Sequence, residues 1–367
     1  MGFRPGLFIC AFVFAIQAKE ASADWVFERG DVNATGVANT ALPIEPAELW
    51  RFQADKSGFE ATAVVADGTI YVGNVDGTFY AVKLSDGSLR WKKKFEDSGF
   101  LAGAAIVDER IYVGDFNGVV RCLDATNGDE LWTHQARGEV YAGPNVVEGR
   151  VLVTSEAGEL LALDAQTGEV QWTFEIEAPL RCWPLVVDGR VLLAGCDSRL
   201  HSVEVNTGQE IEGVDLESQT GATPARVGDS VFFGTVGGTF YRIRGVEILW
   251  EYRDQERLQQ IFSASVDKRA VIFSNKGKRV YALDPETGQV KWEFPVRTGV
   301  ECALVIAGDR VYFGTKRGQL VALDVATGDQ RWQFEAGGGF TASPAVSDGK
   351  LVIGSTDGTL YCFGEGK

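Results

Sequence analysis

The sequence predicts an all-β fold, a closed β-propeller of eight four-stranded blades, and three observations predict it. Tryptophan recurs about every 40 residues, at Trp50, Trp91, Trp132 and Trp172 and then at Trp250, Trp292 and Trp332. Each period breaks into four short apolar runs punctuated by glycine turns, several of them Asp-Gly or Asn-Gly, the pairs that favour tight hairpins. The two chain ends also complement one another. The last unit holds three strand-like runs (ASPAV, KLVIG and TLYCF), whereas Glu48-Leu49-Trp50-Arg51-Phe52 reads as an outermost strand with no blade before it. If that N-terminal strand completes the last blade, the ring closes and leaves no open sheet edge. The competing arrangement is a seven-bladed ring with frayed ends.

Composition sets outer limits. Of 367 residues, 44 are Gly, about 12% against the ~7% of an average protein, and the turns account for the excess. With 45% apolar residues the chain is neither disordered nor collagen-like, and no apolar run approaches the ~20 residues of a membrane-spanning helix. The 51 acidic residues outnumber the 35 basic ones, a net charge of −16 that argues against binding nucleic acid or anionic membranes. Two histidines leave little room for a histidine-rich metal site.

The elements follow in chain order. Residues 1–23 read as a signal peptide: Arg4, an apolar stretch from Leu7 to Ala18, and Ala21-Ser22-Ala23 as cleavage site. Cys10 lies inside the apolar stretch behind Ile9, so lipidation is not expected there. Cleavage near Ala23 would deliver the chain to the periplasm or the cell exterior. Residues 24–45 form a leader, and residues 46–367 a single propeller domain.

The first blade reads ATAVV, Asp67-Gly68, TIYVG, Asp76-Gly77, TFYAVKL, Asp86-Gly87 and SLRWKKKF. The same punctuation recurs at Asn117-Gly118, Asn127-Gly128, Asp188-Gly189, Asp348-Gly349 and Asp357-Gly358. Blade four has Glu212 where a tryptophan is due. Blade five keeps Trp250, but its third hairpin is two residues short.

Five cysteines follow the signal peptide, and none forms a C-x-x-C or an adjacent pair. Cys122 and Cys362 stand where Ala81, Ala162, Ala282 and Ala322 stand in other blades, so they read as small apolar residues. Hairpin pairing in blade four brings Cys182 near Cys196, which leaves a disulfide open there. His134 and His201 fall on different blades and different strands, so no shared triad or metal site is expected.

The segment Ala162-Leu163-Asp164-Ala165-Gln166-Thr167-Gly168-Glu169-Val170-Gln171-Trp172 has the pattern A-x-D-x-x-T-G-x-x-x-W, complete again at Ala282–Trp292 and Ala322–Trp332. This resembles the tryptophan-docking motif of the pyrroloquinoline-quinone (PQQ) propeller repeats, over roughly Glu48 to Phe363. The resemblance implies that Trp50, Trp91, Trp132, Trp172, Trp250, Trp292 and Trp332 tie each blade to its neighbour rather than line a ligand site. It also offers two kinds of relative, the quinoprotein dehydrogenases, which hold PQQ and calcium over the propeller axis, and non-catalytic propellers of the BamB type that assist outer-membrane protein assembly. The sequence is similar to the second kind, a bare ring with short loops and no adjacent cysteines.

The expectation is therefore an exported, monomeric, non-catalytic scaffold that binds other envelope proteins and needs no cofactor. The alternatives are a PQQ- and calcium-dependent dehydrogenase, or a propeller binding a carbohydrate or other small ligand. If anything binds, the channel mouth is where it would do so, because the residues entering each blade's first strand vary from blade to blade on a constant scaffold. These include Glu60, Tyr141, Arg181, Phe262 and Glu301, with Trp183 one step further in. Leu180-Arg181 is similar to the exposed Leu/Arg loop through which BamB-type proteins are thought to dock their partner.

Overall fold

In a computed structural model, which describes residues 24–55, 57–253 and 260–366, the alternating apolar runs form eight antiparallel sheets of four strands each. The predicted signal peptide lies outside the described residues. Blade one comprises Val64–Ala66, Thr69–Gly73, Thr78–Lys83 and Leu89–Lys94, hydrogen-bonded in sequence order from channel to rim. The next six blades repeat this arrangement. The last blade takes Ala345–Ser347, Lys350–Gly354 and Thr359–Gly364 from the C-terminus and Ala47–Gln53 from the N-terminus, with Trp50 opposite Cys362. Eight blades, closed by the N-terminal strand, replace the seven-bladed alternative. Among the described residues no helix is long and apolar enough to cross a membrane.

Two kinds of Asp-Gly turn separate the strands. At Asp67-Gly68, Asp188-Gly189 and Asp348-Gly349 both residues have positive φ (46° and 67° at the first pair), as a type I′ turn requires. At Asp76-Gly77, Asn117-Gly118, Asn127-Gly128 and Asp357-Gly358 only the glycine does. Those connections are longer, so a single left-handed residue closes them.

The second and third strands of each blade are largely buried, while the rim strand alternates, as in Val170–Glu175. A β-bulge falls on the residue before each docking tryptophan, for example Arg90, Gln171 and Lys291. The bulge swings the rim strand so that the indole leans over the next blade. There its Nε1 donates to a main-chain carbonyl at 2.9–3.1 Å: Trp50 to Leu84, Trp91 to Ala125, Trp132 to Ala165, Trp172 to Val205, Trp250 to Pro285 and Trp292 to Val325. In all six the ring lies on the left-handed glycine of the neighbour's Thr-Gly-type turn, where an added Cβ would stand 2.5–2.8 Å from it. Trp332 instead packs edge-on against Phe363, at the seam where the two chain ends meet.

The leader fills the channel. Trp25 exchanges two backbone hydrogen bonds with Val65 of blade one, and Val26 accepts one from Ile106 of blade two. Further along, Asn33, Thr35 and Gly36 accept from Arg226, Val266 and Ile306 of blades five, six and seven. The innermost strands of a propeller present unpaired edges to the axis, and this strap satisfies several of them.

Candidate functional site

The chain enters each innermost strand through a bend, and radial packing of the blades converges those bends on the axis. Glu60, Tyr141, Arg181, Phe262 and Glu301 accordingly line one funnel of about 230 Å³, together with Leu101, Gly221 and Thr341. Its floor is Glu28 and Arg29 of the leader. Deeper in the channel, hydroxyls join neighbouring blades. The Trp183 N–H donates to Thr223 Oγ1 (3.2 Å), the Thr223 N–H to Ser263 Oγ (3.0 Å), and the Ala303 N–H to Ser343 Oγ (3.0 Å).

Most of the charge at the mouth is paired. Arg181 Nη2 donates to Glu156 Oε2 (2.8 Å), Lys316 Nζ lies 2.9 Å from Glu301, and the Tyr141 hydroxyl donates to Glu139 (3.1 Å). Partial burial, then the neighbouring Glu139, pushes the Tyr141 phenol up. On the floor, Glu28 Oε2 accepts the Gly143 N–H at 2.6 Å. Burial raises its carboxyl above the ordinary range, while that hydrogen bond and the adjacent Arg29 pull the other way. Arg29 reaches the opposite wall, donating from Nη2 to the Ala264 carbonyl (2.7 Å) and from Nη1 to the Leu304 carbonyl (3.3 Å). Desolvation lowers its guanidinium to about 10, against the opposing effect of Glu28.

Two residues of the expected patch are elsewhere. Leu180 is 1% exposed, its N–H bonded to the Ser155 carbonyl, so it packs beneath the mouth and leaves Arg181 alone on the surface. The repeat explains this: Phe59, Phe100, Val140 and Phe340 hold the same position and are all buried. Trp183 is wholly buried; its Nε1 donates to the Pro144 carbonyl (3.1 Å) and its face meets Phe27 of the leader edge-on, with centroids 5.8 Å apart. It anchors the strap rather than facing a ligand. Cys182 and Cys196 are free thiols, so the open disulfide is not formed. His201 is held between Glu210 and Asp197 (2.9 and 2.8 Å) within blade four.

The floor pair Glu28 and Arg29 was not legible as a site. A faint signal existed in Gly103 and Gly143, glycines outside any turn, where an added Cβ would stand 3.0 Å from Glu28 Cβ and 2.9 Å from its Oε2.

Comparison with known proteins agrees with this architecture. The family model described as outer membrane protein assembly factor BamB matches residues 44–140 and 116–365. Among curated protein sequences none matches this chain significantly. Of solved structures, BamB from Moraxella catarrhalis superposes with a TM-score of 0.76 at 20% identity, covering 87% of this chain and 98% of that one. The quinohemoprotein alcohol dehydrogenase of Comamonas testosteroni gives 0.77 at 16%, covering 94% and 81%. A computationally designed protein, Ika8, gives 0.76 at 19%, covering 87% and 99%. At these identities the structural likenesses are of fold. The family-model match spans nearly the whole chain, and on that ground the chain belongs to the family of the outer membrane protein assembly factor BamB.

Proposed function

We propose that this chain is an exported, non-catalytic scaffold of the cell envelope that binds other proteins, in the setting of outer-membrane protein assembly. The observation that carries the reading is the closed channel: the leader stops it and leaves a funnel of only about 230 Å³. Pockets that bury a drug-sized ligand or a cofactor run from about 300 to 1,000 Å³ and are mostly apolar. This funnel is smaller, and hydroxyls and paired charges line much of it. Its residues do not fit a quinone with calcium either, since Trp183 lies under the leader, Glu301 is engaged by Lys316 and Glu28 by Gly143. The reading therefore expects no cofactor, a monomer, and a surface on the mouth face in which Glu60, Tyr141, Arg181, Phe262 and Glu301 contact protein.

Affinity capture with the full chain from cross-linked envelope extracts tests it. Recovery of an outer-membrane assembly protein, reduced by Arg181→Glu, is expected; recovery of none sinks the role. The quinohemoprotein neighbours show that this fold also carries dehydrogenases. Saturable PQQ binding with calcium, accompanied by dye-linked alcohol or sugar oxidation, would replace the scaffold reading with an enzyme.

A further inference from the structure

The seam between blades four and five differs from the other seven, each of which carries an indole. Glu212 occupies the tryptophan position, and the facing hairpin of blade five turns in two residues, Gly245-Val246, in place of a Thr-Gly loop. An added Cβ at Gly245 would meet nothing within 4 Å, whereas at six equivalent glycines it would meet an indole. What lies here is a groove of about 290 Å³, its base walled by Leu192, Leu200, Val214, Val231 and Ile243. An engineered apolar cavity of about 150 Å³ already accepts benzene, so the groove has room for a larger ring.

Its wall holds one polar group without a partner. Ser202 is 5% exposed and its Oγ makes no hydrogen bond. Four other blades have alanine at this position and two have cysteine. A buried hydroxyl left unpaired is destabilising unless an incoming group satisfies it. The charges at the rim are balanced in pairs, Glu212 with Arg190 and Asp188 with Arg226, which favours an uncharged occupant.

We infer that this groove binds the tryptophan side chain of an extended segment on a partner protein, which completes the ladder of docked indoles. The template for the occupant is on the same molecule: in six seams the ring that fills this position is an indole, and it arrives on an extended strand along the rim. The groove continues that established interblade interface. It lies at the rim, apart from the funnel, and does not depend on the funnel reading.

The test uses the full chain and an acetylated, amidated peptide Gly-Thr-Trp-Thr-Gly carrying 5-fluorotryptophan, followed by fluorine NMR. Expected is saturable binding with a Kd on the order of 1 mM, as a single buried ring provides. The peptide with alanine for tryptophan should bind at least about tenfold more weakly, a factor worth about 1.4 kcal/mol. Glu212→Trp, which supplies the missing indole from within, should abolish binding while the circular dichroism spectrum stays unchanged, and Ser202→Ala should weaken it severalfold. Absence of saturation, or binding that survives Glu212→Trp, overturns the inference. Equal affinity for N-acetyl-tryptophanamide overturns the extended-segment part and makes the groove a site for free indoles. Envelope capture through the mouth face is unaffected by Glu212→Trp, so the two readings fail separately.

Discussion

Two neighbouring seams of the ring solve one packing problem differently. Between blades three and four, Trp172 lies on Gly208 and donates to the Val205 carbonyl at 3.1 Å. Between blades four and five, the tryptophan and the Thr-Gly loop that would receive it are both absent. The motif looks like one feature of one blade, but its halves serve different seams: the indole docks forward, onto the turn of the next repeat. Blade four keeps Thr207-Gly208 because Trp172 of blade three needs that seat. Blade five has lost its seat and blade four its indole, which together constitute a single loss. Trp250 persists in blade five because Gly288 of blade six still receives it.

This asymmetry predicts unequal responses. Trp172→Ala should destabilise the ring by about 3 kcal/mol, the low end for tryptophan truncation because the ring is half-buried. Urea unfolding measures it, and an effect under about 1 kcal/mol would mean that the indole does not hold the seam. Gly208→Ala should cost about 2 kcal/mol, since its Cβ meets the Trp172 ring at 2.5 Å and the residue has φ of 72°. Gly245→Ala carries only the backbone cost of its φ of 58°, about 1 kcal/mol, so the pair of glycine variants isolates the ring contact. Glu212→Ala should change stability by less than about 0.5 kcal/mol, because its ion pair with Arg190 is exposed to solvent.

The leader touches both sides of the ring and supplies a control in which neither seam is altered. Glu28 has its folded carboxyl raised above 4.5, so between that value and its folded midpoint the native state binds more protons than the unfolded one. Its contribution to stability is therefore full below pH 4.5 and is lost as pH rises through the window. Glu28→Gln removes that slope, and the melting-temperature difference between wild type and variant should shrink or reverse as pH rises from 4.5 toward neutrality. A difference that grows with pH would show that Glu28 is stabilised as an anion in the channel.

Much of the fold is legible because it is written locally and repeatedly. The 40-residue tryptophan period, the turn glycines and the orphan strand at Glu48–Phe52 specify blade number and ring closure without reference to any distant contact. The entering residues of the mouth were legible for the same reason, as variable positions in a constant register. Leu180 and Trp183 were misplaced because burial depends on what covers a residue. Leu180 shares its place with Phe59 and Phe100, which the register does display, but the cover over Trp183 is Phe27, more than 150 positions earlier and outside the repeat.

The one-dimensional pattern thus specifies the ring: strand number, turn chemistry and the partner for the last sheet follow from short-range hydrogen-bonding and alternation rules that act within each repeat. The contents of the channel and the unequal seams follow from three-dimensional packing. A leader without periodicity acquires its path only where eight inner edges converge and need backbone partners. A missing indole becomes a groove only when the next blade's turn also withdraws. Both are relations between segments far apart in the chain or lying on different blades, and only close packing in three dimensions expresses them.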